Sequence, residues 1–255
     1  MLPGASGFLE ALPSKDLGLA WEPTEFVTEI RTRLLDDFFP ADTWCSACDS
    51  VMDKKGRHAA VCACGGDRTR RHHAARNRVG AFASSAGLNP ELEKPGLLQP
   101  SPEQPGAARR RPADVYIPSW SAALDLAITS PQRLDAPPEA TSSAGAAAEA
   151  YERYKREYLH TANDCEAQGH QFRPIVGEPS GGWGPSAMCT FKAIAKARSA
   201  GSQEEASSSL AAELQHLCTA VRRANARAVL SRSCDISLLA GSALSANAIL
   251  APTED

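Results

Sequence analysis

An α/β fold with an attached module is what this sequence predicts, and three observations lead there. The middle of the chain reads helix, strand, strand, strand, helix, strand. Two of those strands, 114–117 and 123–129, flank a Pro-Ser-Trp-Ser turn and alternate in hydrophobicity. At 255 residues the chain is long enough for one large domain with a module, or for two small ones.

Taken in order, residues 1–22 contain Gly and Pro without a period and read as a flexible lead. From Glu25 onward Phe26, Ile30, Leu34 and Phe38 recur at four-residue steps, the pattern of an amphipathic helix. A cysteine window at 45–64 follows, so residues 23–66 form a helix plus a cysteine module. Residues 68–86 read as a helix with Val79 and Phe82 on its apolar side and Gly87 as its stop. A short strand candidate, 92–98, is broken by Pro95, and the loop 99–106 holds three prolines. After the strand pair, 146–168 reads as one helix stopped by Gly169, and 171–176 as a strand ending in the turn-rich PSGGWGP. These elements place a core at 67–180. Helices at 186–200 and 204–232 make a C-terminal segment, 181–232, and 233–255 is a tail.

The composition is that of a globular protein, with 43% hydrophobic and 22% charged residues and a lean aromatic share of 6%. No apolar run approaches the ~18 residues of a membrane span, so no membrane partner is expected. The N-terminus lacks a basic region followed by a long apolar stretch, so the chain is not expected to be secreted. A net charge of −3 argues weakly against nucleic-acid binding over the whole surface, but the arginines are clustered. Arg68, Arg70, Arg71, Arg76 and Arg78 crowd one helix, Arg109, Arg110 and Arg111 precede the first strand of the pair, and Arg222, Arg223, Arg227 and Arg232 stripe the last helix. Arginine suits planar phosphate recognition. Solvated helix faces would explain the same clusters.

Within the window CSACDSVMDKKGRHAAVCACGG, the two-residue gap between Cys45 and Cys48 lets both thiolates meet one tetrahedral metal. His58 and Cys62 follow a turn marked by Asp53 and Gly56, and together the four make a structural zinc set. Cys64 competes with Cys62 for the fourth place, and His72 or His73 can stand in for His58. The remaining cysteines, Cys165, Cys189, Cys218 and Cys234, are scattered and read as reduced thiols.

Asp125 is out of place on its strand. Leu124, Leu126 and Ile128 face one side while Asp125, Ala127 and Thr129 face the other, and an unpaired buried carboxylate is costly. Asp114 lies at the start of the antiparallel partner, so the pair can hold Mg²⁺, and Lys155 on the following helix can steady a hydroxide or a phosphate. Glu93 at the edge of the first strand is a further candidate acid, and Tyr151 and Tyr158 flank Lys155 by about one helical turn.

The strings HAAVCACGGDRTRRH, ELEKPGLL, RRRPADVYIPSW, LDLAITSP, YKREY and FRPIVGEPSGGWG resemble the C-terminal endonuclease region of site-specific non-LTR retrotransposons. That region joins a Cys-Cys-His-Cys zinc motif to a restriction-endonuclease-like, PD-(D/E)XK domain. The resemblance runs from about Glu25 to Arg232. It implies a restriction-endonuclease-like αβββαβ core at 67–180, with an N-terminal zinc-binding module and C-terminal helices. By position, Asp114 matches the aspartate of the PD motif, with Ala113 inserted, and Asp125 the second metal-binding acid. Lys155 matches a displaced lysine that precedes a tyrosine, Tyr158, because Ala127 stands where the usual lysine would be. Cys45, Cys48, His58 and Cys62 match the zinc motif, and His72 a histidine after an arginine pair. The implied activity is Mg²⁺-dependent nicking of double-stranded DNA in the nucleus, or wherever the target DNA resides. Arg68, Arg70, Arg71, Arg109, Arg110 and Arg111 are the candidate DNA contacts. The chain contains no reverse transcriptase, so element RNA or a separate reverse transcriptase is a further expected partner. A catalytically inactive nucleic-acid-binding remnant is the alternative.

Overall fold

The computed structural model describes residues 2–98, 110–133 and 136–232. In chain order its main elements are α1 (Gly7–Glu10), α2 (Pro23–Leu34), β1 (Thr43–Trp44), β2 (Val51–Met52), α3 (His58–Val61), α4 (Asp67–Ser85), β3 (Glu91–Leu92), β4 (Val115–Ile117), β5 (Ala122–Ile128), α5 (Ala146–Glu157), α6 (Thr161–Ala167), β6 (Gln171–Gly177), α7 (Pro185–Ala200) and α8 (Ala206–Leu230). The chain divides into two compact units, one of Met1–Leu12 with Thr69–Arg222, the other of Pro13–Arg68 with Arg223–Asp255.

In the first unit the structure is mixed α/β, around a sheet of order β3-β4-β5-β6. The pairs β3–β4 and β4–β5 are antiparallel and β5–β6 is parallel, with α5 and α6 in the crossover. Alternation along the strands sorts their side chains. Val115, Ile117, Ala122, Leu124, Leu126 and Ile175 enter a core with Val79 and Phe82 of α4, Phe191 and Ile194 of α7, and Leu217 and Val221 of α8. The opposite face carries Tyr116 and Ala123, packed with Leu97 and Ala113, and it is also the face of Asp125.

Two carboxylates tie α5 to its neighbours, one reaching in to it and one reaching out from it. Gly145 begins the helix without a side-chain cap. Glu178, just past β6, instead accepts the backbone N–H of Ala148. From the middle of α5, Glu152 accepts the N–H of Ser186 at 3.1 Å in the first turn of α7. Each acid satisfies a helix-terminal donor and meets the positive end of the helix dipole. A side chain at Gly184 would place its Cβ 2.5 Å from Glu152 Oε1, so the carboxylate would have to shift from its place at the start of α7.

The second unit holds the hairpin β1–β2, α3 and a small core of Met52, Ala59, Ala228 and Val229 gathered around the cysteines. Its helix α2 overturns the expected amphipathic stripe. Phe26 and Leu34 are 39% and 72% exposed, whereas Glu25, Thr28 and Glu29 are buried. Charge pairing decides that orientation, since Arg227 Nε meets Glu25 Oε1 at 2.5 Å and Arg223 also reaches Glu25. The helix ends in a left-handed Leu35, so Phe38 lies outside it.

Three further expectations change. The lead is not featureless, for α1 forms there and Ala5 and Phe8 are buried. The strand expected at 92–98 stops at Leu92, because Glu93 adopts a φ of 50° and Pro95 follows. The single helix expected at 146–168 is broken between α5 and α6, where Leu159 and His160 take φ values of 49° and 55°. Arg110 holds that kink by donating to the Leu159 carbonyl and to Asp164 Oδ2, the latter at 2.6 Å. The proline-rich loop 99–106, Arg109, Cys234 and the tail lie outside the described residues.

Candidate active site and metal centre

The register of β4 on β5 pairs Val115 with Leu124, so one step further sets Asp114 opposite Asp125. Three backbone hydrogen bonds hold Asp114 there. Its N–H donates to Leu124 O at 2.9 Å, its carbonyl accepts from Glu93 N–H at 2.9 Å, and its Oδ2 accepts from Leu126 N–H at 2.6 Å. His72 Nε2, from α4, lies 3.3 Å from the same Oδ2. The other oxygen, Oδ1, accepts no hydrogen bond from the described residues.

Asp125 is met from above by α5. Lys155 Nζ donates to both of its oxygens at 2.9 Å. Like charges directly opposite on a sheet repel, and this pair sits in a poorly solvated place. Burial pushes the Asp125 pKa up to about 6, against the pull of Lys155, and the Asp114 charge adds to the rise. Burial disfavours the Lys155 charge, yet the attraction and hydrogen bonding of Asp125 leave its pKa above the ordinary value. His72 is raised chiefly by its hydrogen bond to Asp114. Asp114, Asp125, Lys155 and His72 therefore come together from separate parts of the chain, two acids facing an ammonium and an imidazole. Such a set can bind a hard cation through its carboxylates and present an ammonium to a phosphate.

Other expected residues fall elsewhere. The Glu93 carboxylate pairs with Arg76 and lies 4.0 Å from His73 and from Arg111. The side chain of Arg71 is buried, and Arg110 is consumed by the kink after α5, which removes both from a phosphate-contacting role. Arg68, Arg70 and Arg111 are on the surface. Within the first unit Arg222 donates to the carbonyls of Ser180 and Ala5, and within the second Arg223 and Arg227 pair with Glu25. Cys165 and Cys218 are buried, while Cys189 is exposed.

In the second unit Cys45, Cys48, His58 and Cys62 place their ligand atoms within 4.8 Å of one another. Each position has a local cause. Cys45 and Cys48 lie in the turn after β1, where Cys45 N–H donates to Ser50 O at 2.9 Å and Ala47 N–H points at Cys45 Sγ at 3.5 Å. His58 opens α3, its N–H received by Asp53 Oδ2 at 3.0 Å, and Cys62 closes that one-turn helix. The Cys48–Cys62 sulfur separation is 3.7 Å and Cys48 Sγ lies 3.2 Å from His58 Nε2. A tetrahedral zinc with Zn–S of about 2.3 Å needs ligand separations of roughly 3.5–3.8 Å. The sulfur pair meets that separation and the sulfur–nitrogen pair falls a little short of it, so the cluster could bind a metal such as zinc. Cys64 is exposed and His72 is engaged at Asp114, so neither takes a ligand place.

Sequence reasoning missed one participant. Arg232 lies beside Cys45 and Cys62, and it also donates to Asp67 and, at 3.0 Å, to Cys64 O. Burial resists ionisation of Cys45, but the N–H groups of Ala47 and Cys48, helped by Arg232, bring its pKa down to about 6. Three thiolates on a divalent ion leave one negative charge in excess, which a guanidinium offsets. No spacing rule could have linked an arginine so distant in sequence to the cysteines.

Among the described residues no helix is long and apolar enough to cross a membrane. Comparison of the chain with protein-family models, with curated proteins and with solved structures finds no match.

Proposed function

We propose that this chain is a metal-dependent DNA endonuclease domain of the restriction-endonuclease-like kind, related to the C-terminal region of site-specific non-LTR retrotransposons. The observation that carries the reading is the contact of Lys155 with both oxygens of Asp125, one cross-strand step from Asp114. The element order α4-β3-β4-β5-α5-α6-β6 supports it as well, being the αβββαβ order that the family resemblance implies with its second helix broken in two. Two carboxylates with one oxygen of Asp114 unengaged suit Mg²⁺, which takes one or two carboxylates and keeps several waters.

Asp114 and Asp125 would hold Mg²⁺. When bound, the ion supplies Lewis-acid polarisation of a phosphate and a more acidic water. Asp125 must be ionised for that role, and Lys155 favours its charged form. Lys155, anchored by α5, lies where it can stabilise charge developing on the phosphate. His72 orients Asp114 through Oδ2, and the carboxylate would hold the ion through its remaining capacity. Arg68, Arg70 and Arg111 supply surface cations for backbone contacts without reading sequence. Double-stranded DNA is then the partner and the compartment of that DNA, the nucleus, the place of action. Element RNA or a separate reverse transcriptase would join it there.

The test is nicking of supercoiled plasmid by the purified chain in Mg²⁺, beside D114A, D125A and K155A. Loss of nicking in D125A with DNA affinity retained is expected; nicking at the parental rate by D125A refutes the site. A catalytically inactive DNA-binding remnant is favoured by Ala127 at the usual lysine position, and a parent that binds DNA without cutting it would establish that reading.

A further inference from the structure

The helix face that delivers Lys155 to Asp125 also carries Tyr151, Tyr154 and, just past the helix end, Tyr158. At these spacings all four lie on one side of α5. The rings run as a ladder, with centroids 5.4 Å apart from Tyr151 to Tyr154 and 5.3 Å from Tyr154 to Tyr158. Tyr154 and Tyr158 are each 48% exposed, so much of both rings is open to solvent. Tyr151 is the link to the acid site. Lys155 Nζ lies 6.0 Å from its ring centroid, and the Arg133 guanidinium stands 5.3 Å away over the same ring. A cavity of about 260 Å³ opens beside it, lined by Thr129, Arg133, Pro137, Ala150, Tyr151 and Tyr154. Thr129 follows β5 on the strand face of Asp125, so the recess lies further along that face, with Tyr151 as the link between it and Lys155.

From this arrangement we propose that α5 is a stacking platform for unpaired bases of the DNA strand being cut, with the recess beside Tyr151 receiving one splayed base. This rests on the nuclease reading for the position of the cut. A paired duplex hides its base faces and offers only backbone and groove edges, so a row of exposed rings has nothing to stack on there. Unpaired bases offer a π-face regardless of sequence, and Arg133 supplies the cation that their phosphates and rings both attract. The substrate class is accordingly DNA with a locally opened, single-stranded or branched segment at the cut.

The experiment measures binding of a fluorescein-labelled oligothymidylate of twenty nucleotides in Ca²⁺, by anisotropy, for the full chain, Y154A/Y158A and Y154F/Y158F. The alanine pair is expected to weaken binding by about tenfold or more, in keeping with the usual worth of base–aromatic stacking, while the phenylalanine pair, which keeps the rings, binds as the parent does. Parental affinity in the alanine pair overturns the platform, as does equal weakening in the phenylalanine pair. An oligouridylate bound at least tenfold tighter than the DNA overturns the assignment to the cut strand. A second arm compares Mg²⁺-dependent cleavage of a duplex with a central bubble against the fully paired duplex. A preference for the bubble that collapses in Y154A/Y158A is expected; no preference in the parent counts against the proposal. Because the binding arm needs no chemistry, a chain that binds through its tyrosines but never cuts would refute the nuclease reading alone.

Discussion

The cysteine cluster and the acid–lysine site are built by opposite means. The first gathers its four ligands from a short stretch of chain, with a turn, a one-turn helix and a few backbone hydrogen bonds placing them. The second draws Asp114, Asp125, Lys155 and His72 from β-strands and helices that meet only when the sheet and its crossover have formed. A site made of local geometry can be read from spacing. A site made of tertiary geometry needs the strand register and a helix position, which spacing only suggests.

That contrast sets how each region should fail. Removing the metal from the cysteine cluster should have the largest effect, since structural zinc binding contributes about 10–16 kcal/mol in comparable small modules. Chelation, or C48S, is expected to unfold the second unit, seen as loss of amide-exchange protection at β1, β2 and α3 while the sheet of the first unit stays protected. Uniform protection after chelation would show that the small core of this unit stands without metal. In the acid site, D125A should remove nicking to background and also lower the thermal midpoint, because it leaves the largely buried Lys155 ammonium without its partner. K155A should act less completely. A nicking rate reduced by about 10²–10³-fold is expected, the usual worth of one group aimed at developing charge. A reduction under threefold would assign Lys155 to charge balance alone.

The smallest effect sharpens the comparison from the side of the scaffold. E152A, which leaves the N–H of Ser186 without its acceptor, should cost about 1 kcal/mol, as helix caps do, measurable by urea denaturation. Burial holds the Glu152 pKa above the ordinary value, against the pull of the Ser186 and Ala187 N–H groups. The folded state thus binds that proton more tightly than the unfolded chain. Its contribution is fully present below the unfolded carboxylate pKa and is lost as pH rises through the folded one. E152Q should flatten that part of the stability profile, and a profile identical to the parent's would mean the carboxylate is ionised at no cost.

Much of the architecture was legible because alternation and turn residues mark strands strongly. The runs 114–117 and 123–129 differ from β4 and β5 only at their ends, and the acid misplaced on an apolar strand did point to its cross-strand neighbour. The cysteine ligands were legible for the local reason given above, and the geometry settles the alternatives against Cys64 and His72. What escaped was decided at a distance. The helix 146–168 carries no proline or glycine before its end, so nothing local announces the break at Leu159 and His160, which Arg110 secures from another part of the chain. The face of α2 is likewise set by arginines of α8 that capture Glu25, which reverses what an apolar stripe implies. Arg71, read from clustering as a phosphate contact, is buried, and Arg110 turns inward because a guanidinium serves equally well to hold a carbonyl and a carboxylate.

Asp114 deserves a last consideration as a piece of the sheet. Its carboxylate takes the N–H of Leu126 just beyond the end of β4, so the side chain serves as the final rung of the β4–β5 ladder. Two demands therefore fall on one residue, a hydrogen-bond acceptor for the strand and a charge for the site. Asparagine meets the first and alanine meets neither, so D114N should keep the hairpin as protected as in the parent while D114A frays it. Whatever chemistry the site performs, the sheet itself favours at this position a side chain that can close the ladder.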